Sequence, residues 1–318
     1  MLVAHPGRNA LKHLMVIALM LLFTTGVALA DTIRFVSLSW TGVTVKTELG
    51  VQILKSLGYD ASNTMVSVPI VYKALDSDNA DVFLGNWMPS MASIADPYFK
   101  KGTVEKYVAS MPGAQYTLAV PAYVKKAGLK HFKDIAKFGE QLDYKIYGIE
   151  EGNDGNLVIQ KMIDANLFGL GKFELVPSSE AGMLAQVQSF ARAKKWIVFL
   201  GWSPHYMNKL IDMAYLDGSD ANTFGVDNGQ ATVYTNIRKG FDKAHPNVAN
   251  FLKNYTFPIS MMNEIMTLMH NDQDLEPRQA GLDWVKLHPE VYKKWFDGVT
   301  TQDGKPALAA FEAYLKTL

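Results

Sequence analysis

The chain reads as an α/β protein built from two lobes. Each lobe is expected to be a mainly parallel sheet flanked by helices, with a ligand cleft between the two. Three observations predict this. Apolar, strand-like runs alternate with segments of helical spacing, the pattern of βαβ units. That pattern restarts after residue 115. An internal echo links residues 81–89 (DVFLGNWMP) with 197–204 (IVFLGWSP): each has an apolar run ending in Gly, followed by Trp and Pro. A chance match of a hydrophobic string is the alternative, but the shared Trp and Pro favour two similar lobes. A chain of 318 residues, 48% hydrophobic and 19% charged, is long enough for both.

Taken in order, residues 1–30 read as a secretory signal peptide. Arg8, Lys12 and His13 form a basic region, 14–23 is a ten-residue apolar run, and Ala28-Leu29-Ala30 is a small-residue cleavage motif before Asp31. A membrane span would need about 20 apolar residues. Cleavage after Ala30 removes Arg8 and Lys12 and no acid, which turns the net charge of zero into −2. The expected product is a soluble periplasmic protein. No later segment is apolar for long enough to span a membrane. The absence of cysteine rules out disulfides, thiolate nucleophiles, Cys-ligated zinc, iron–sulfur clusters and a lipidated mature N-terminus. Equal numbers of basic and acidic residues, 31 each, leave no cationic excess for nucleic acid.

In the first lobe, strands are expected at 32–36, 65–68 and 81–84, the last closed by Gly85. A helix is expected over 43–57, ended by Gly58, and a short one over 72–75. Past residue 115, strands are expected at 116–121, 144–149, 173–176, 196–200 (closed by Gly201) and 231–238, with helices at 157–167 and 181–193. From about Pro246 the chain is mostly helical, broken at Pro258, Pro277 and Pro289. The lobes are then 31–115 plus 231–318, and 116–230.

Trp40, Trp87 and Trp202 each follow an expected strand, beside Gly, Asn, Ser or Pro. Loops past the carboxyl ends of strands are where open α/β sheets bind ligands. Tyr116 opens the restarted pattern, at the lobe junction. Trp196, Trp284 and Trp295 sit inside expected elements and read as core. Several ring faces around one cavity suit a quaternary ammonium, which donates no hydrogen bond and is held by ring quadrupoles. A sugar stacked on Trp is the rival ligand, but the Trp segments carry few polar groups for hydroxyls.

The loop 150–156 (EEGNDGN) precedes a helix. Asn153 or Asp154 could cap that helix, and the helix N-terminus could equally receive a ligand carboxylate or hydroxyl. The seven His are scattered without zinc spacing, so no metal is expected. Residues 201–205 (GWSPH) partly match a nucleophile elbow, but the second Gly is missing and Pro204 would distort the turn. An esterase acting on choline esters is therefore a minor alternative. His205 either lines the cleft or caps a helix.

The segments SLSWTG (37–42), VFLGNWMP (82–89), GAQYTLA (113–119), YGIEEGNDGN (147–156), SSEAGMLAQV (178–187) and VFLGWSPHYMN (198–208) resemble the periplasmic substrate-binding proteins of choline, glycine betaine and carnitine ABC importers. The resemblance covers essentially the whole chain past residue 30. It implies the two-lobed, type II-like periplasmic binding protein fold, closing on ligand, and a non-enzymatic monomer without a cofactor that hands its ligand to a membrane permease. It also implies an aromatic box of Trp40, Trp87, Tyr116 and Trp202, with Asn153 as a polar contact; Asp154 and His205 are further cleft candidates. Choline-preferring relatives typically carry Asp two residues after the first box Trp, where this chain has Gly42. A carboxylate there complements a cation and repels a zwitterion. Gly42 is therefore expected to favour glycine betaine or carnitine over choline.

Overall fold

Strand β1 (Ile33–Ser37) buries Ile33, Phe35 and Val36 on both of its faces, as a parallel strand covered by helices requires. It pairs in parallel with β2 (Ala61–Met65) and β3 (Val82–Met88). Helix Thr41–Ser56 carries the chain from β1 to β2 and buries Val45, Leu49 and Ile53 along one face. It ends where Gly58 adopts φ 89°, a left-handed turn that favours glycine. The computed structural model describes Met1 and residues 31–318. Apart from Met1, the signal peptide expected over residues 1–30 lies outside the described residues.

A second parallel trio is formed by β5 (Lys145–Tyr147) with β6 (Glu174–Val176) and β7 (Phe199–Ser203). Helices Asp154–Asp164 and Glu180–Arg192 connect these strands. Between the trios lie β4 (Val104–Pro121) and β9 (Gln230–Arg238), with the short β8 (Met213–Tyr215) on β4. The order is β2-β1-β3-β9-β4-β7-β5-β6, one continuous sheet across both halves. The fold is the expected two-lobed α/β architecture, with a correction at its centre: β9 pairs antiparallel with β3 and β4, and β4 pairs antiparallel with β7. Only the outer strands are parallel.

Three local expectations change. The second strand lies at Ala61–Met65, not 65–68, and Val68 already belongs to helix Val68–Asp76, whose first turn holds Pro69. β2 is an edge strand with mostly solvent-facing polar residues, so it has no apolar alternation to reveal it. The strand that begins before Tyr116 starts at Val104; its first half bends through three register shifts against β9, and these hide its period. Gly85 and Gly201 do not end their strands. A Cβ on Gly201 would lie 2.7 Å from Ala119 Cβ, and one on Gly85 2.8 Å from the Phe83 ring. These glycines permit close packing inside β7 and β3. Trp87 and Trp202 therefore sit on strands and not on loops.

The C-terminal helices begin at their prolines. Pro246, Pro277 and Pro289 occupy first turns, and Pro258 precedes Ile259–Asn271. This region packs back on helix Thr41–Ser56: the Tyr255 hydroxyl donates to Lys46 O at 2.9 Å.

Candidate ligand-binding site

Four elements converge on one cavity. Trp40 stands at the N-cap of helix Thr41–Ser56, Trp87 on β3, Tyr116 on β4 and Trp202 on β7, and all four rings line the cavity. Tyr116 and Trp202 are direct partners in the β4–β7 ladder, with ring centroids 6.1 Å apart and planes at 85°. Trp87 lies 5.8 Å from Tyr116 on the other side. Trp40, Tyr116 and Trp202 are 8%, 6% and 7% exposed, so their faces see the cavity and little else. Of the tryptophans read as core, Trp284 and Trp295 are buried and Trp196 is half-buried.

The polar end is built on the start of helix Asp154–Asp164. Asn153 Oδ1 accepts from Gly155 N at 2.8 Å and Asn156 N at 3.2 Å, so Asn153 is the cap. The same oxygen accepts from the Tyr116 hydroxyl at 3.1 Å, which ties the cap to a cavity ring. Asn153 lines the cavity, and so does Asp154. Asp154 is 1% exposed; Ser90 Oγ and Asn153 Nδ2 donate to its carboxylate. Burial pushes its pKa up to about 6. The cavity therefore combines rings with a buried acid, where the Trp segments alone suggested rings without one. Glu150, also raised by burial, accepts from Trp40 Nε1 at 2.7 Å.

His205 is buried behind Trp202, ring centroids 4.9 Å apart, and is not on the cavity wall. Its Nε2 lies 3.0 Å from Glu180 Oε1 and its Nδ1 accepts from Met207 N at 3.1 Å. Glu180 also accepts from the Thr41 hydroxyl and backbone N–H. Both imidazole nitrogens are thus engaged, and neither is free to take a proton from Ser203, as the elbow reading would need.

Gly42 lines the cavity. A Cβ there would sit 3.5 Å from Met266 Sδ, an ordinary contact, so a Cβ is accommodated. The sequence reading missed Met111, Met262, Met266 and Lys46, which also line the cavity. Met262 and Met266, four residues apart, put one helix face on the site, a spacing that reads equally well as core. Lys46 follows Gly42 by four residues, one turn along the same face, but a lysine within a helix reads from sequence as solvent-facing.

The model of the substrate-binding domain of ABC-type glycine betaine transport systems matches residues 31–287. The chain belongs to that family. A choline-binding protein of an ABC transporter, solved with choline, is 44% identical and aligns with a TM-score of 0.87 over 90% of this chain and 98% of its own. The glycine betaine/carnitine transport binding protein of Listeria monocytogenes is 31% identical over 176 residues, 55% of this chain and 57% of that protein. A lactococcal protein in a closed form with glycine betaine shares the fold at 24% identity, with a TM-score of 0.75 over 84% of this chain and 100% of its own. As a member of this family, the protein is the substrate-binding component of an ABC transport system, and the cavity is its candidate substrate site.

Proposed function

We propose that this protein is the periplasmic binding component of an ABC importer for a quaternary ammonium compound, with glycine betaine or carnitine preferred to choline. The convergence of Trp40, Trp87, Tyr116 and Trp202 on one cavity carries the reading. Each desolvated ring contributes roughly 0.5–2 kcal/mol to a bound quaternary ammonium. Four such rings support micromolar binding after the cost of association. Asp154 adds negative potential that complements the ligand cation, and Asn153 offers a polar contact.

The lobes, 31–115 with 231–318 and 116–230, contribute Trp40 and Trp87 on one side and Tyr116, Asn153 and Trp202 on the other. Ligand then gains contacts in the closed state that the open state lacks, which drives closure. The closed monomer delivers its ligand to the membrane permease without chemical change. Residues 1–30 act as the cleaved signal. Gly42 leaves the first turn of helix Thr41–Ser56 without a carboxylate, which favours a zwitterion that brings its own.

A thermal-shift panel of choline, glycine betaine, carnitine, proline, a disaccharide and a choline ester tests this. Stabilisation by the quaternary amines, greatest for a zwitterion, is expected. Stabilisation by the disaccharide alone, or turnover of the ester, would replace the reading with a sugar-binding protein or an esterase.

A further inference from the structure

Lys46 is the one cation on the cavity wall among the described residues, and a cage for a cation has no use for it. The residue is 2% exposed. Nζ donates to Leu84 O at 2.6 Å, its one acceptor among the described residues, so two of its three protons have no partner there. Nζ also lies over the face of the Phe257 ring, 5.5 Å from its centroid, a partner that carries no counter-charge. Burial alone lowers the pKa of the ammonium to about 7, with no carboxylate to hold it up. A buried ammonium without a counter-ion is destabilising, and in a cavity it shares with four ring faces it repels any purely cationic ligand. Gly42, one turn earlier on the same face, supplies no counter-charge.

We propose that Lys46 is a specificity residue that receives the carboxylate of a zwitterionic quaternary amine and turns away choline. This rests on the aromatic-cage reading and gives the site a second pole. The rings and Asp154 face the ammonium, while Lys46 faces the carboxylate. The ligand then provides the anion that the protein withholds, and a ligand without a carboxylate leaves Lys46 as unpaired as before.

Calorimetric titration of the wild type and Lys46→Met with glycine betaine, carnitine, choline and tetramethylammonium tests the assignment. Lys46→Met is expected to weaken at least one zwitterion tenfold or more, to tighten choline, and to leave tetramethylammonium unchanged or tighter. An unchanged ratio of zwitterion to choline affinity, with tetramethylammonium still bound, overturns the role of Lys46 and spares the cage. Failure of all four to bind the wild type overturns both.

A second measurement needs no variant. Glycine betaine is titrated into the wild type between pH 7 and 9, in buffers of differing ionisation enthalpy. In that window Asp154 is already ionised, and Tyr116 and Tyr255, both raised by burial, stay protonated. A carboxylate arriving beside Lys46 raises its pKa, so binding is expected to take up a proton at pH 8. Choline should take up none. Betaine binding without proton uptake overturns the inference.

Discussion

Trp40 Nε1 donates to Glu150 Oε1 at 2.7 Å, joining residues 110 positions apart in sequence. The tryptophan follows β1 and the glutamate follows β5, so a cavity ring is fixed by a carboxylate from the opposite end of the sheet. Two further contacts span the same gap: Thr41 to Glu180, and Ser90 to Asp154. Glu150→Ala is expected to weaken ligand binding by about tenfold, the order of a hydrogen bond to a charged group. The loss should appear mainly as faster dissociation in stopped-flow fluorescence. An unchanged dissociation rate would remove this bond from the closed state.

The rings should contribute separately. Trp87→Ala is expected to weaken tetramethylammonium by about 2- to 30-fold, corresponding to roughly 0.5–2 kcal/mol. Trp87→Phe should recover part of the loss, since a smaller ring face remains. Equal affinity for all three proteins would place the ligand elsewhere.

Gly42→Asp adds a carboxylate at the start of a helix, where negative charge is favoured, and places it four residues before Lys46, within pairing distance. Its Cβ meets Met266 Sδ at an ordinary 3.5 Å. The variant is expected to fold and to shift the choline to glycine betaine affinity ratio about tenfold towards choline. Calorimetry that shows no shift would remove Gly42 from the discrimination.

Affinity should also fall in acid. Asp154 has its pKa raised by burial to about 6 in the free protein, and Glu150 is raised in the same direction. A bound ammonium favours the ionised carboxylate and lowers that pKa. Below pH 6 binding must then expel a proton, and the dissociation constant rises by up to about tenfold per pH unit. Asp154→Asn should flatten most of this dependence. A wild-type affinity that is constant from pH 7 to 5 would contradict it.

The rings were legible in the sequence because Trp40, Trp87 and Trp202 sit in segments whose Gly, Asn, Ser and Pro neighbours stand out from the surrounding apolar runs. Their exact setting was not. Gly85 and Gly201 read as strand ends, while their role is to let Phe83 and Ala119 pack against the backbone, which only the third dimension reveals. Charged residues were the harder case. Lys46 in an amphipathic helix reads as solvent-facing, and its burial depends on β3 and the C-terminal helices, contributed by distant sequence. Asp154 was legible as a cap alternative, yet one of its hydrogen-bond donors, Ser90, lies 64 residues away. The parallel strands β1, β3 and β7 carry apolar signals, whereas the polar edge strand β2 and the bent first half of β4 carry none.

The pairing of β3 with β9 sets a timetable for the nascent chain. Val82 meets Ile237, and Asn86 Nδ2 donates to Asn236 Oδ1 at 3.1 Å across 150 residues of sequence. Until residue 238 has been synthesised, β3 has a bare edge and half of the sheet waits for its neighbour. Such non-local closure is slow, and an unpaired strand edge invites association with other chains while it lasts. Trp87 on β3 and Tyr116 on β4 are brought side by side only once β9, late in the sequence, has paired with both strands.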